Sequence, residues 1–242
     1  MKVDALTLEL RPRSMSEAAD LGVRMVQAHA RSIWRCFAPL YLAVVALAFS
    51  TMDAATWLPA LLIFWLKPWL DRTLLFVLSR AVFGQRTAWA DLWRERRAVW
   101  WQRLHLTLTV RRLSAWRSYT QPVDQLEGQR GAALYARCRT MLSGQHGRAG
   151  GMQLVFANLE LVLGLGLLAL AAWFSLPGQD AAALPWLTGG SKAAQWLATA
   201  TYAGVVLFVE PFYVGAGFAM YLNRRVQLEA WDVEQEFRRA FG

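Results

Sequence analysis

Three charged side chains interrupt long apolar runs of this sequence, and they are the residues best placed to do chemistry. Glu160, Glu210 and Lys67 each have extended apolar sequence on both sides. A charged group inside an apolar helix is costly unless it is paired or serves a function. Depths counted along the three runs at about 1.5 Å per residue overlap. We therefore predict that these groups meet inside a helical bundle.

A polar site of six residues is predicted at this place. Two carboxylates would face the bundle interior, either of two cations would supply the counter-charge, and an amide and a phenol would supply hydrogen bonds. The residues are Glu160, Glu210, Lys67, Arg72, Asn158 and Tyr213. Two interpretations stand: a site for a substrate, lipid headgroup or proton, and a structural network that holds kinked helices together.

Signatures of catalysis and of metal binding do not occur in the sequence. There is no GxSxG, no HExxH and no phosphate-binding glycine loop. The two cysteines form no CxxC pair, and the three histidines are dispersed. We therefore predict no catalytic residue, no metal site and no cofactor, and we expect that the chain is not an enzyme.

The composition indicates a membrane protein. The 242 residues are 56% hydrophobic and include 13 Trp, whereas soluble domains are roughly 45–50% apolar. The excess is concentrated in long runs, which is typical of a polytopic membrane protein. The net charge of +9 alternates with these runs, so positive-inside topology explains it and no nucleic-acid partner is expected.

Four apolar runs are predicted to cross the membrane. They are residues 36–51, 57–83, 152–176 and 193–222. Lys and Arg cluster in both tails and in the region between the second and third runs, whereas the two other loops carry one in total. This pattern predicts four spans with both termini cytoplasmic.

The second run allows two interpretations. It is either one long helix kinked at Pro68, or a broken segment whose second half re-enters the membrane or lies flat. We favour the single helix, because a further crossing would place the Arg-rich region outside. Lys67 and Asp71 are four apart and can pair along such a helix.

The N-terminal region, residues 1–35, is predicted to form an arm and an amphipathic helix. Residues 1–13 alternate like a strand or an extended arm, and Ser14 with Glu17 matches a capping box. One face of the following helix is polar: Glu17, Asp20, Arg24, Gln27, Arg31 and Arg35. This helix either lies in the headgroup region or packs on the protein's own cytoplasmic part.

The region 84–151 is predicted to form a basic cytoplasmic or interfacial layer. Six of its residues are expected to contact lipid headgroups: Trp89, Trp93, Arg94, Arg97, Trp100 and Trp101. Further along, the pattern predicts a strand at 104–110, a helix at 123–142 and a loop at 143–151.

The last run carries the features expected of a closely packed central helix. Pro211, next to Glu210, predicts a kink. Gly215 and Ala219 have the small-xxx-small spacing that lets another helix approach closely. Residues 223–242 are predicted to form a cytoplasmic helix with i,i+4 pairs Arg225–Glu229 and Glu234–Arg238.

Three segments carry a resemblance to a family. Residues 210–239, 67–84 and 111–128 together resemble a group of proteobacterial inner-membrane proteins. Their genes tend to lie near those for MoxR-type AAA+ ATPases and for RDD-family and sporulation-protein-M-like membrane proteins. The resemblance implies an envelope-associated partner of an ATPase-linked membrane assembly.

A second, more distant resemblance concerns the end of the last run. Tyr221, Arg224, Arg225, Glu229 and Asp232 are similar to the exit of the membrane domain attached to some glycerophosphodiester phosphodiesterases. This chain has no phosphodiesterase domain, so the resemblance implies no catalytic residue.

The sequence as a whole predicts an all-α polytopic bundle forming one membrane domain, residues 1–242. Its parts are residues 1–35, 36–83, 84–151, 152–222 and 223–242. The leading expectation is a non-enzymatic subunit or scaffold of an envelope-associated membrane complex. It would contact anionic membrane lipids through its basic Trp/Arg layer and bind membrane-protein or AAA+ ATPase-linked partners. The alternative is a small transporter or lipid-handling protein that uses the polar site around Glu160 and Glu210.

Overall fold

All regular elements in the part of the chain that the structure describes are helices. The computed structural model describes residues 13–109, 112–175 and 192–229. Its elements are α1 (Met15–Ala28), α2 (Ala30–Phe49), α3 (Leu58–Ala81), α4 (Trp89–Arg94), a π-helix (Arg97–Trp101), α5 (Leu104–Leu108), α6 (Arg117–Gln125), α7 (Gly131–Leu142), α8 (His146–Ser175) and α9 (Lys192–Glu229). The all-α fold class is confirmed for these residues. The arm at 1–12, most of the loop after α8 and the Glu234–Arg238 pair lie outside them.

Among the described residues, three helices are long and apolar enough to cross a membrane: Ala30–Phe49, His146–Phe174 and Lys192–Glu229. The predicted count of four included α3, which is 24 residues long and continues without a break through Pro68. The run is therefore confirmed as a single continuous helix, and the kink at Pro68 stays a prediction. Helix α3 falls below the apolarity of the other three because it carries Lys67, Asp71 and Arg72.

Helices α1 and α2 run antiparallel along α9. The predicted capping box forms, with Glu17 N donating to Ser14 Oγ and Ser14 N donating to Glu17 Oε2. Helix α1 then packs on the second half of α9, and α2 follows the first half, where Tyr41 donates to the carbonyl oxygen of Ala203 at 2.8 Å. The chain passes from α1 to α2 at His29.

The contact between α1 and α9 is made by backbone against backbone. A Cβ at Gly22 would lie 2.3 Å from the carbonyl oxygen of Gly215, so only glycine fits there. The small-xxx-small spacing of α9 predicted that another helix packs closely against it. In the structure this helix is α1. The predicted polar face of α1 and the start of α2 is exposed throughout. Helix α1 thus packs on the protein itself, and its place relative to lipid headgroups stays a prediction.

Several elements between α3 and α8 differ from the prediction. The predicted strand at 104–110 contains α5 instead, where Thr107 and Thr109 hydroxyls donate to carbonyls four residues back, as threonines do in helices. The helix predicted at 123–142 is two helices, α6 with Pro122 inside it and α7, separated at Gly128, which has a φ of 65°. Helix α8 begins at His146, inside the predicted loop.

Helix α6 is an internal element rather than part of a peripheral layer. It packs between α3 and α9, and most of its side chains are buried. A Cβ at Gly217 would lie 2.2 Å from Ser118 Oγ, so glycine lets α6 approach α9 closely. Tyr119, also fully buried, donates to the carbonyl oxygen of Met141 at 2.8 Å and holds α7 in place. This packing brings the first residue of α6 to the middle of the bundle.

Candidate functional site

Five charged side chains form a chain of alternating sign at the centre of the bundle. Lys67 Nζ lies 2.7 Å from Glu160 Oε2 and 2.7 Å from Glu210 Oε2. Arg117 continues the chain, with Nη2 2.8 Å from Glu210 Oε1 and Nε 2.8 Å from Asp71 Oδ2. All but Glu160, whose side chain is 19% exposed, are almost fully buried. Each buried carboxylate therefore has a cation in direct contact, which offsets part of its desolvation cost.

Four helices supply these five groups. Lys67 and Asp71 come from one face of α3, Glu160 from α8, Glu210 from α9 and Arg117 from the first turn of α6. The predicted i,i+4 ion pair between Lys67 and Asp71 does not form. Lys67 instead reaches α8 and α9, and Asp71 pairs with Arg117. The network thus joins helices rather than stabilising one of them.

Tyr213 supports the cationic part of this network. Its ring centroid lies 5.2 Å from the guanidinium carbon of Arg117, within the range of a cation–π interaction. Its hydroxyl accepts a hydrogen bond from Ser118 N at 3.3 Å and donates to Gln153 Oε1. Tyr213 follows Glu210 by three residues, so both side chains lie on the same face of α9.

A cavity of about 550 Å³ opens beside the ion chain. Its charged end is formed by Lys67, Glu160, Glu210, Arg112 and Arg117. Its remaining walls are largely apolar: Phe64 from α3, Leu161, Gly164, Leu165 and Leu168 from α8, and Ala198 from α9. Charge at one end and hydrocarbon along the walls match the chemistry of an amphiphile.

Helix α8 forms an open side of this cavity. It packs mainly against α9, and the Lys67–Glu160 ion pair bridges the gap to α3. Leu161 and Leu165 are 58% and 59% exposed although they line the cavity. A Cβ at Gly164 would meet no atom within 4 Å. The cavity therefore communicates with the apolar outer surface of the bundle between α3 and α8.

Arg112 is a cation of the cavity wall outside the ion chain. It precedes α6, is only 9% exposed, and its guanidinium carbon lies 3.3 Å from the centroid of the Phe64 ring. Its Nε has no hydrogen-bond acceptor, and no ion pair includes it, within the part of the chain that the structure describes. Burial, and then the neighbouring Arg117, lower the pKa of the Arg112 guanidinium.

Two of the six predicted site residues lie elsewhere. Asn158 is exposed and donates to the carbonyl oxygen of Leu154 in its own helix. It is two residues from Glu160, about 200° around an α-helix, so the two side chains cannot share a face. Arg72 is five residues from Lys67, about 140° around α3, and points away from the cavity. The structure brings together the other four: Glu160, Glu210, Lys67 and Tyr213.

Arg72 is the centre of a separate buried network. It is 1% exposed and donates to the carbonyl oxygens of Val99 and Ala98 in the π-helix. Its Nη1 lies 3.4 Å from Asp124 Oδ2, and Arg103 binds the other oxygen of the same carboxylate. The last carbonyls of a helix have no partner within it, and Arg72 donates to two of them. Arg72 thereby ties the region before α5 to α3.

The six predicted headgroup contacts differ in their exposure. Trp89, Trp93 and Trp101 are 39%, 54% and 66% exposed, and Arg94 and Arg97 are also exposed. Trp100 is 7% exposed, and its indole NH donates to Thr73 Oγ1 at 2.9 Å. The rings of Trp69, Trp89 and Trp93 surround it. The expectation that Trp100 contacts headgroups is therefore wrong, since this ring forms part of the core.

Sequence reasoning missed three members of the site. Arg112 and Arg117 lie in the region 84–151, which is predicted only as a basic layer. Asp71 is predicted only as an ion-pair partner of Lys67. The number of charges was a signal that could have been used. Glu160, Glu210 and Asp71 are three carboxylates, and more than one cation is needed to neutralise them. Nothing in the spacing indicates that α6 inserts between α3 and α9.

Within the described ranges, no group of three or more His, Cys, Asp and Glu side chains could hold a metal ion. The acidic residues of the site are each engaged by Lys67 or Arg117.

No protein-family model matches this chain, and no curated protein and no solved structure shows significant similarity to it. The site must therefore be interpreted from its own geometry.

Proposed function

We propose that this chain is an integral membrane protein that holds one lipid-like amphiphile in the cavity between α3, α8 and α9. The observation that carries the proposal is the union of a charged end and apolar walls in one cavity of about 550 Å³. Its open side, between α3 and α8, would let a lipid pass laterally from the bilayer. This is the lipid-handling alternative considered from the sequence, and the cavity supports it over transport of a small polar solute, which needs a polar path.

In this proposal α3 is the fourth crossing helix of a bacterial inner-membrane protein with both ends cytoplasmic. The mean hydropathy of α3 underestimates how well this helix suits a membrane. Its charged residues Lys67, Asp71 and Arg72 lower the mean, but they are buried and paired. The large side chains that α3 exposes are apolar, including Phe64 at 44% and Trp65 at 41%. A helix whose charges face inward and whose apolar side chains face outward is compatible with lipid.

The test compares two phenylalanine substitutions in α8. Gly164 lines the cavity and Gly166 does not, and a Cβ at either position meets no atom within 4 Å. Gly164→Phe and Gly166→Phe therefore make the same chemical change at two positions that both accept a Cβ, but only the first places the ring at the cavity. Native mass spectrometry of the purified protein would count co-purified lipid. We expect a stoichiometric lipid on the wild type and on Gly166→Phe, and at least a tenfold loss on Gly164→Phe.

A different result would reject the proposal. Equal lipid retention in both variants would place any bound lipid outside the cavity. Absence of retained lipid from the wild type in mild detergent, together with its absence in nanodiscs of native lipid, would also contradict the assignment. Size-exclusion profiles and melting temperatures of the two variants would serve as the folding control.

A second candidate is favoured by the surface of α8. Leu154, Val155, Val162 and Trp173 are 64%, 65%, 64% and 73% exposed, so α8 offers a long apolar face. A partner helix could cover this face, as expected for a non-enzymatic subunit of a membrane complex linked to an AAA+ ATPase. Pull-down of the tagged protein from its own host, with mass spectrometry of proteins and lipids, separates the two candidates. Stoichiometric membrane or ATPase partners would favour the subunit; a lone protein with one enriched lipid would favour the cavity.

A further inference from the structure

The formal charges around the cavity balance without a ligand. The ion chain has three carboxylates, Asp71, Glu160 and Glu210, and two cations, Lys67 and Arg117. Arg112 brings the formal sum to zero, but it makes no ion pair with these carboxylates. The Arg112 guanidinium thus contributes to the charge balance, but its Nε–H group donates no hydrogen bond.

Arg112 is buried in a way that calls for an anion. A guanidinium has five N–H donors and no acceptor, and burial without partners is costly. The Phe64 ring lies against the guanidinium, with 3.3 Å between the guanidinium carbon and the ring centroid. An aromatic face satisfies none of these donors. The cavity, which Arg112 lines, is where an acceptor can reach them.

We infer that the amphiphile is a phospholipid whose phosphodiester group binds Arg112 while its acyl chains lie along α8 and α9. This inference rests on the proposed function and names the class of lipid. A phosphodiester offers two charged oxygens to the planar guanidinium, which suits bidentate hydrogen bonding. It also adds a single negative charge to a cluster of zero formal charge, whereas a pyrophosphate would add at least two. The site therefore favours a diester.

The apolar walls decide between a lipid and a free anion. Phe64, Leu161, Leu165 and Leu168 continue from the charged end along the cavity. Leu113, directly after Arg112, is 83% exposed and also lines the cavity. Inorganic phosphate would bury none of this surface, whereas two acyl chains would cover it. A phospholipid would thus contact the apolar walls with its acyl chains and Arg112 with its phosphate.

The experiment compares dioleoylphosphatidylglycerol with dioleoylglycerol, which has the same chains and no phosphate. Each is titrated into the delipidated full-length protein in detergent, and native mass spectrometry measures the one-to-one adduct. We expect the wild type to favour the phospholipid by roughly tenfold or more, and Arg112→Gln to reduce this preference to near unity. Arg112→Lys should retain part of it, because the charge remains while the bidentate geometry is lost. Arg130→Gln removes one exposed charge outside the cavity and should change nothing.

The outcomes separate the inference from the proposed function. If Arg112→Gln keeps the phosphate preference, or if Arg130→Gln loses it equally, the role of Arg112 is overturned. If both lipids bind equally well and Gly164→Phe abolishes both, the cavity holds lipid but the phosphate assignment is overturned. If neither lipid binds, the proposed function fails as well. Displacement of the phospholipid by inorganic phosphate, with Gly164→Phe without effect, would overturn the inference in favour of a free anion.

Discussion

Lys67 is the residue on which the central network depends, because one ammonium group neutralises two glutamates. It lies 2.7 Å from a carboxylate oxygen of each. We predict that Lys67→Met destabilises the protein by about 3–5 kcal/mol, since it leaves Glu210 with Arg117 alone and Glu160 without its cation. Thermal unfolding in a fixed detergent would measure the loss.

The matched control for Lys67 is Glu160→Gln. Glu160 is 19% exposed and forms the end of the chain, so its neutralisation should cost about 1 kcal/mol or less. If the two variants melt at the same temperature, the network does not stabilise the fold through Lys67, and the charges would have to be kept for another reason.

Arg72 provides the second prediction at this scale. It is 1% exposed and binds two π-helix carbonyls and Asp124. Arg72→Gln is expected to destabilise the fold by about 3–5 kcal/mol, because Asp124 and both carbonyls lose a buried charged partner. Arg80→Gln in the same helix should change the melting temperature little, since its side chain is 33% exposed and its ion pair is long at 4.0 Å. Equal melting temperatures would show that the buried network contributes nothing.

The six-residue site was partly accessible from the sequence. Apolar context was enough to single out Glu160, Glu210 and Lys67, because charge in an apolar helix is rare at any position. Helix phase alone could have excluded Asn158, which lies on the opposite face from Glu160. Arg112 and Arg117 could not be found in this way. Their place depends on α6 packing between α3 and α9, which no local pattern encodes.

Helices α1 and α9 are joined by the closest backbone contact among the described glycines of the bundle. We predict that Gly22→Ala destabilises the protein by about 1–3 kcal/mol, because the new Cβ would lie 2.3 Å from a backbone oxygen that cannot move aside. Gly166→Ala in α8 makes the same substitution in open space and should be neutral or slightly stabilising. Differential scanning fluorimetry of both variants checks this, and a melting temperature for Gly22→Ala at or above wild type would contradict the packing.

Local sequence patterns predicted some features of the helices and missed others. The capping box and the small-xxx-small spacing are short-range signals, and both appear in the structure. The Leu–Thr alternation of 104–110 indicated a strand, but Thr hydroxyls bond within a helical turn just as well. Pro122, which directly precedes the helix predicted at 123–142, lies inside α6. Tertiary contacts to α3 and α9 override these weak local preferences.

The molecule as a whole should cross the membrane four times, with the turn between α2 and α3 outside. Asp53 in this turn and Arg130 before α7 are both exposed, so each can carry a labelling cysteine. We predict that Asp53→Cys reacts with a membrane-impermeant maleimide in intact spheroplasts and that Arg130→Cys reacts only after permeabilisation. The background carries Cys138→Ser, and Cys36 is buried. Labelling of both positions from the same side would exclude a crossing by α3.

The hydrogen bonds between Arg13 and Asn223 join positions 210 residues apart, and Gly22 needs Gly215 to cover it. The ribosome makes α1 long before it makes α9, so α1 lacks its main partner while the intervening helices are synthesised. The flat glycine surface of α1 would be uncovered throughout this time. The docking of α1 on α9 can therefore occur only late, and in a chain that stalls before α9 we expect the surface around Gly22 to stay uncovered, as exposed apolar surface that chaperones and proteases recognise.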